Sequence, residues 1–325
     1  MFLCHNSGMP PSTEPLPPAV RALLRHLRRQ RPLRAGSLLV TIFGDAIAPR
    51  GAAVTLGSLI RLAAPFGVGE RLARTSAARL AQLGWFATRR AGRRSEYRLT
   101  ARGRERFSAA TRRIYGGGSG THGAGAWTLL VLPAAGSVSE ALRAELHWRG
   151  FGAIHTRLYA HPALPEEAWL LRLAGRHGAL LLRAAGALPT ERRLVRRGWN
   201  LRELTAGYRR FLRRFSAVRR DLGRGAVAPR TAYIVRTLLV HEYRRIHLQD
   251  PQLPARLLPP DWVGERAFAL AAQLYRRVFW PAERYVSEQA RGLHRELPPP
   301  DAPARRRFGG VPHGPAGRRR RRRAP

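Results

Sequence analysis

The chain has 325 residues, with 59 basic side chains that are all arginine against 20 acidic ones, a formal net charge of +39. That length allows two or three domains with cores of their own. A hydrophobic fraction of 44% excludes a wholly disordered chain, and the charge calls for a polyanionic partner, nucleic acid most simply.

The single cysteine, Cys4, excludes an internal disulfide and any cysteine-based zinc or iron–sulfur centre. No apolar run approaches the ~20 residues of a membrane-spanning helix. The start, MFLCHNSGMPP, lacks the basic and apolar regions of a secretory signal, so a cytoplasmic protein without a membrane partner is expected. Met9 is a second candidate start.

In chain order, residues 1–30 read as a disordered, Pro-rich and basic leader, with a short basic helix possible over Val20–Gln30. Residues 31–115 read as a winged helix-turn-helix. LLVTIFGDAI is an apolar helix, and a helix–turn–helix follows with its turn at Phe66–Gly69. In its second helix Leu72, Ala73, Ala77, Leu80 and Leu83 recur at helical spacing as an apolar face. Arg71, Arg74, Thr75, Ser76 and Arg79 fall off that face, where a recognition helix presents its side chains to the major groove. Two strand-like runs, Trp85–Arg89 and Ser95–Leu99, flank a tight Ala91–Arg94 turn carrying Gly92. Arg90, Arg93 and Arg94 then lie at the wing tip, within reach of flanking backbone. Thr100 caps a closing helix, Ala101–Tyr115.

An amphipathic helix followed by a solvated hairpin is the structural alternative, and the distribution of charge argues against it. Residues 34–113 hold sixteen arginines and four acidic residues, whereas residues 116–187 hold six and four. An arginine-favouring genome acts on both segments alike, so the excess is local.

Residues 116–126 form a Gly/Ser/Thr linker. Residues 127–187 read as strand, helix, strand, helix, strand: Trp127–Leu132, Ser139–Gly150, Gly152–His161, Pro165–His177 and Ala179–Ala184. This pattern suggests a small ferredoxin-like α+β domain, a spacer or dimerisation module. Residues 188–296 read as a helical C-terminal effector or dimerisation domain, with helices Leu201–Val218, Arg230–Leu248 and Val263–Phe279. Pro281 kinks or ends the last of them. DPQLPARLLPPDW is too proline-rich for regular structure. Residues 297–325 read as a disordered tail ending in Arg318–Arg323, adding salt-sensitive DNA affinity, and truncation after Pro300 is expected to remove no folded element. The fold class is thus multidomain α+β.

SLLVTIFGD, GSLIRLAAPFGV, ERLARTSAARLAQLGW, GRRSEYRLT, RRIYG, FGAIHTRLYAHP and LLVHEYRRIHLQDPQLPARLLPPDWVG, in this order, resemble the PaaX family of transcriptional repressors of phenylacetic acid degradation operons. The resemblance spans about residues 31–285. It implies a three-domain dimeric repressor that binds double-stranded operator DNA and is released by an acyl-CoA effector such as phenylacetyl-CoA. It implies no cofactor.

His241, Tyr243, Arg244 and Arg245 sit in the HEYRR stretch near Trp262. Arginines there suit the phosphates of a coenzyme A thioester, and aromatic rings suit its acyl group. The alternative is helix packing by His241 and Tyr243 with the arginines in water. His241 and His247, six apart, lie about 240° apart around a helix and share no metal. Neither phosphate-loop, dinucleotide, zinc-protease nor nucleophile-elbow motifs occur, so no catalytic residue, metal or enzyme activity is expected. An effector-independent architectural DNA binder is the runner-up. A metal-dependent nuclease ranks below it, because Trp127–Pro133 carries no carboxylate.

Overall fold

The computed structural model describes residues 15–30, 35–116, 126–134, 138–163 and 167–312. Cys4, Met9, nearly all of the linker and the Arg318–Arg323 run lie outside the described residues.

The first elements are α1 (Pro18–Arg29), α2 (Ala35–Ile42), a π-helical turn Phe43–Ile47 and a 3₁₀ turn Ala48–Arg50. Next come β1 (Ala53–Thr55), α3 (Leu56–Ala63), α4 (Glu70–Gln82), β2 (Phe86–Ala91), β3 (Arg94–Leu99) and α5 (Ala101–Tyr115). Thr55 and Thr100 cap α3 and α5, accepting from Ser58 N and Gly103 N. The strands make an antiparallel sheet in the order β1-β3-β2, with Tyr97 of β3 opposite Val54 and Thr88. The three-residue β1 has no periodicity to betray it in sequence. The leader expected over residues 1–30 is corrected here: α1 buries Val20, Leu23, Leu24 and Leu27, an apolar stripe at helical spacing, and packs against the C-terminal helices.

A second sheet follows, built from β4 (Trp127–Val131), β5 (Gly152–Ala153), β6 (Leu158–His161) and β7 (Leu180–Ala184). Helices α6 (Glu140–Trp148) and α7 (Glu167–His177) connect its strands, whose order is β5-β6-β4-β7, antiparallel throughout. The helices cover one face, enclosing Leu130, Leu146, Phe151 and Leu170. Trp199 and Val195 of the segment around α8 (Leu188–Gly198) pack on the other face, against Trp127 and Ala160. The single strand expected over Gly152–His161 is in fact β5 and β6 joined by a turn at 154–157, closed by Ile154 N donating to Leu158 O at 2.8 Å. Gly152 lets β5 lie close to Trp199: a Cβ there would meet the ring at 2.7 Å.

The remaining helices are α9 (Leu201–Asp221), α10 (Pro229–His247), α11 (Gly264–Gln289) and the short α12 (Ala302–Arg305). α11 does not end at Pro281, which lies inside it. Residues 31–115 and 188–296 do not have separate cores, as the sequence division implies. Leu39, Phe43 and Leu59 belong to the same buried cluster as Phe211, Leu239 and Tyr275.

A buried ionic network crosses the seam. Asp45, in the π-turn, pairs with Arg236 of α10 at 2.9 Å and with Arg307 at 3.1 Å. Glu283 of α11 pairs with Arg236 and Arg50. Tyr115 and Tyr275 each donate to Asp45 Oδ1 at 2.9 Å. Burial alone would make Arg236 easier to deprotonate, but Asp45 and Glu283 outweigh it and hold the guanidinium firmly ionised.

Residues 297–312 are likewise no tail. α12 is capped by Asp301, Asp301 N donates to Pro49 O, and Trp280 Nε1 donates to Pro312 O. Arg307 and Phe308 are buried, the ring of Phe308 lying among Tyr115, Tyr243, Phe268 and Tyr275. An arginine-rich composition hid two residues whose chemistry the interior satisfies.

Candidate nucleic-acid interface and ligand cavities

α4 presses Ala73, Ala77 and Leu80 against the core, and two of the three are small enough to let it lie close to α2. Leu72 and Leu83 are not on this face as expected: they are 38% and 54% exposed. Leu72 sits one residue, about 100°, off the buried line, and Leu83 follows the last helical residue, where the backbone has already turned.

Arg71, Arg74, Thr75 and Arg79 are exposed, and Ser76 is half-buried. Arg74 donates from Nε and Nη2 to Glu70 Oε1, at 2.9 and 2.6 Å. Thr75 donates to the Arg71 carbonyl at 3.1 Å, and Leu72 beside it is exposed. Exposed β-branched and leucine side chains between arginines give the outer face apolar as well as cationic contacts. The β2–β3 hairpin closes at the Ala91–Arg94 pair, and Gly92 takes the left-handed conformation (φ 54°) that a two-residue turn requires. Arg90, Arg93 and Arg94 are exposed at or near its tip, and so is Arg89, which strand alternation alone did not single out.

The five residues considered for a ligand separate into two groups. His241 is buried, its Nδ1 lying 3.0 Å from Thr41 Oγ1. Burial, with help from the charges of Arg244 and Arg245, pushes its pKa down to about 3. Arg244 donates to Thr41 Oγ1 at 2.8 Å and to Ser37 Oγ at 2.7 Å. Burial lowers its pKa to about 10. Both side chains therefore fasten α10 to α2. Arg245 is half-buried.

Tyr243 and Trp262, by contrast, line a cavity of about 350 Å³ together with Tyr208, His247, Asp250 and Phe268. Tyr208 donates to Asp250 Oδ2 at 2.7 Å, and the Tyr243 hydroxyl lies 3.1 Å from His247 Nδ1. His247 Nε2 donates to the Arg113 carbonyl at 3.0 Å, which fixes the neutral tautomer with Nδ1 as acceptor. Burial, followed by the Arg113 charge, lowers its pKa to about 4. Burial likewise raises that of Asp250. The Arg113 side chain donates to Leu248 O and to Trp148 O, so this cavity floor touches α5 and α6 as well. Nothing in the spacing of Tyr208, Asp250 and Phe268 shows that they converge; periodicity marks Tyr208 as a core position, and Asp250 falls in the irregular proline-rich stretch. A smaller cavity, about 70 Å³, lies where Thr41, Trp85, Phe107, Tyr115, Trp148 and Arg244 meet.

Among the described residues no group of histidine, cysteine and carboxylate side chains could hold a metal, and no helix is long and apolar enough to cross a membrane.

Residues 34–103 match the PaaX-like protein family, and residues 199–288 match the PaaX-like protein C-terminal domain. The chain is also 34% identical over 298 residues to the transcriptional repressor PaaX of Escherichia coli (strain K12), an alignment covering 89% of this chain and 94% of that protein. The chain belongs to the PaaX family. The first PaaX match contains α4 and the hairpin, and the second contains α9, α10 and most of α11 with the larger cavity. Among solved structures, the uncharacterized protein Rv0674 from Mycobacterium tuberculosis aligns with 25% identity and a TM-score of 0.46, over 74% of this chain and 96% of that one. The lack of enzyme motifs accords with a family of non-enzymatic regulators.

Proposed function

We propose that this PaaX-family chain is a cytoplasmic, sequence-specific, DNA-binding repressor of an aromatic catabolic operon, acting as a homodimer and released by an aryl-CoA such as phenylacetyl-CoA. α2 to β3 serve as a winged helix-turn-helix, with α4 in the major groove and the β2–β3 hairpin on flanking phosphates. The middle sheet with α6 and α7 serves as a ferredoxin-like module between reader and effector body; its connectivity, β-α-β-β-α-β with the first and third strands central, supports that reading.

One observation carries the proposal: α4 is anchored by Ala73, Ala77 and Leu80 while Arg71, Arg74, Thr75 and Arg79 face outward, beside a hairpin tipped with arginine. The match to a transcriptional repressor over nearly the whole chain supports it. An electrophoretic shift assay on the promoter upstream of its own gene, with and without phenylacetyl-CoA, is the test. A shifted band that the thioester dissolves is the expected result. A band indifferent to every aryl-CoA supports the architectural reading instead, and the lack of any sequence-specific band sinks both the operator and the repressor.

A further inference from the structure

We propose that the surface around Trp262 is a two-compartment site for one amphiphilic anion, with an apolar or aromatic head and a phosphorylated tail. This rests on reading the chain as a ligand-released repressor, and it assigns residues that the HEYRR stretch did not suggest.

The head compartment is the cavity of about 350 Å³, walled by the rings of Tyr208, Tyr243, Trp262 and Phe268. Rings packed edge-on or offset add to simple burial, so an aromatic head suits these walls. Among the described residues no arginine lines the cavity, and its polar floor already has partners: Tyr208 donates to Asp250, the Tyr243 hydroxyl meets His247 Nδ1, and His247 Nε2 donates to the Arg113 carbonyl. One acceptor is left over. Among the described residues Gln252 Oε1 is buried without a hydrogen-bond partner, on a residue held at φ 55°. A buried carbonyl oxygen without a donor is costly, and a ligand N–H or O–H would satisfy it. Phosphate has nothing to hold it there, since Asp250 and Glu265 are the charged groups lining the cavity.

The tail compartment shares the same indole. A groove of about 450 Å³ is lined by Trp262, Arg209, Arg213 and Arg266. Arg209 and Arg213 are four apart on α9, hence neighbours on one face, and Arg266 lies in the first turn of α11. Asp261 pairs with Arg209 at 2.7 Å. Arg213 and Arg266 form no ion pair with a described residue. Two guanidinium groups therefore remain for phosphate oxygens, whose geometry their planar forks match. Consecutive residues serve the two compartments: Tyr208 the cavity, Arg209 the groove. A ligand bent around Trp262 fills both, which is the chemistry of an acyl thioester of coenzyme A.

The test titrates the full chain with phenylacetyl-CoA by calorimetry. Arg213→Glu together with Arg266→Glu should weaken binding about tenfold or more, the loss of at least one charge-assisted contact, with the thermal midpoint unchanged. The same change of charge on α8, Arg192→Glu with Arg196→Glu, should leave binding as it was. Coenzyme A and phenylacetate, each filling one compartment, should bind more weakly than the thioester. Equal weakening by both double variants reduces the effect to net charge and overturns the site, as does binding that neither variant alters. If phenylacetyl-CoA does not bind at all, the site also falls. The shift assay without ligand then still decides whether the chain is an operator-binding protein, so the two failures are distinguishable.

Discussion

Among single side chains, the arginines of α4 and of α10 differ in what they are paired with. Arg74 and Glu70 are 54% and 62% exposed, and an exposed pair contributes little to stability. Arg74→Ala should therefore lower operator affinity by the about 1–3 kcal/mol of a good base contact while leaving the melting temperature nearly unchanged. Unchanged affinity in a shift titration would remove α4 as the reader. Arg93 and Arg94 should act through phosphate. Replacing both with Ala should weaken every DNA sequence alike and shrink the slope of log affinity against log salt by about 0.9 per lost contact; a changed sequence preference with the slope intact contradicts this. His241 is neutral in the fold because its pKa is depressed to about 3. Above pH 6.5 it is neutral folded or unfolded, so it imposes no pH dependence there. As the pH falls below 6.5 the unfolded chain takes up a proton that the fold refuses, and stability drops by about 1.4 kcal/mol per pH unit. His241→Gln should make the fall of the melting temperature between pH 6 and 4 shallower, with His247, whose pKa is also depressed, keeping its share, seen by calorimetric scans; a profile identical to the parent's would show that this histidine titrates as it does in the unfolded chain.

At the scale of elements, the segment 297–312 behaves as a strap. It leaves α11, passes Pro49 and Arg50, and ends with Arg307 donating to Asp45 O and Gly44 O while Phe308 enters the aromatic cluster. Phe308→Ala should cost about 3–5 kcal/mol, the usual range for a buried aromatic ring, measured by urea unfolding. Truncation after Pro300 should lower the melting temperature for the same reason, contrary to a tail's behaviour. Truncation after Pro312 should spare it and reduce only non-specific DNA affinity. The strap also explains why burial and charge must be weighed together: an isolated arginine inside a protein is prohibitive, but Arg307 meets a carboxylate, two carbonyls and the face of the Tyr115 ring.

For the whole molecule, the elements from α2 to α5 and the C-terminal helices share a core, and the Asp45–Arg236–Glu283–Arg50 chain of ion pairs closes it. Residues 31–116 expressed alone would take Tyr233 away from Phe66 and Arg236 and Arg307 away from Asp45. Circular dichroism of that fragment should show no cooperative melt, and a sharp transition near that of the full chain would restore the independent domain. The C-terminal helices that line the larger cavity pack directly on α2 through α10. Arg113 already ties the cavity floor to α5 and α6.

Sequence alone determined what depends on local period and local charge. The amphipathic pattern of the helix read at Glu70–Leu83, the hairpin with Gly92, the alternation of strands and helices in the middle and the three long C-terminal helices each write their identity into neighbouring residues. It also determined the family, through ordered segments long enough to be specific. Tertiary structure decided what depends on residues far apart in the chain. That Asp45 neutralises Arg236 and Arg307, that Arg244 is spent on Ser37 and Thr41, and that Tyr208, Gln252 and Trp262 meet at one cavity are facts of pairing across tens to hundreds of positions. An arginine reads the same in sequence whether it faces water, phosphate or a buried carboxylate, because only the partner it finds in space sets the cost of its charge.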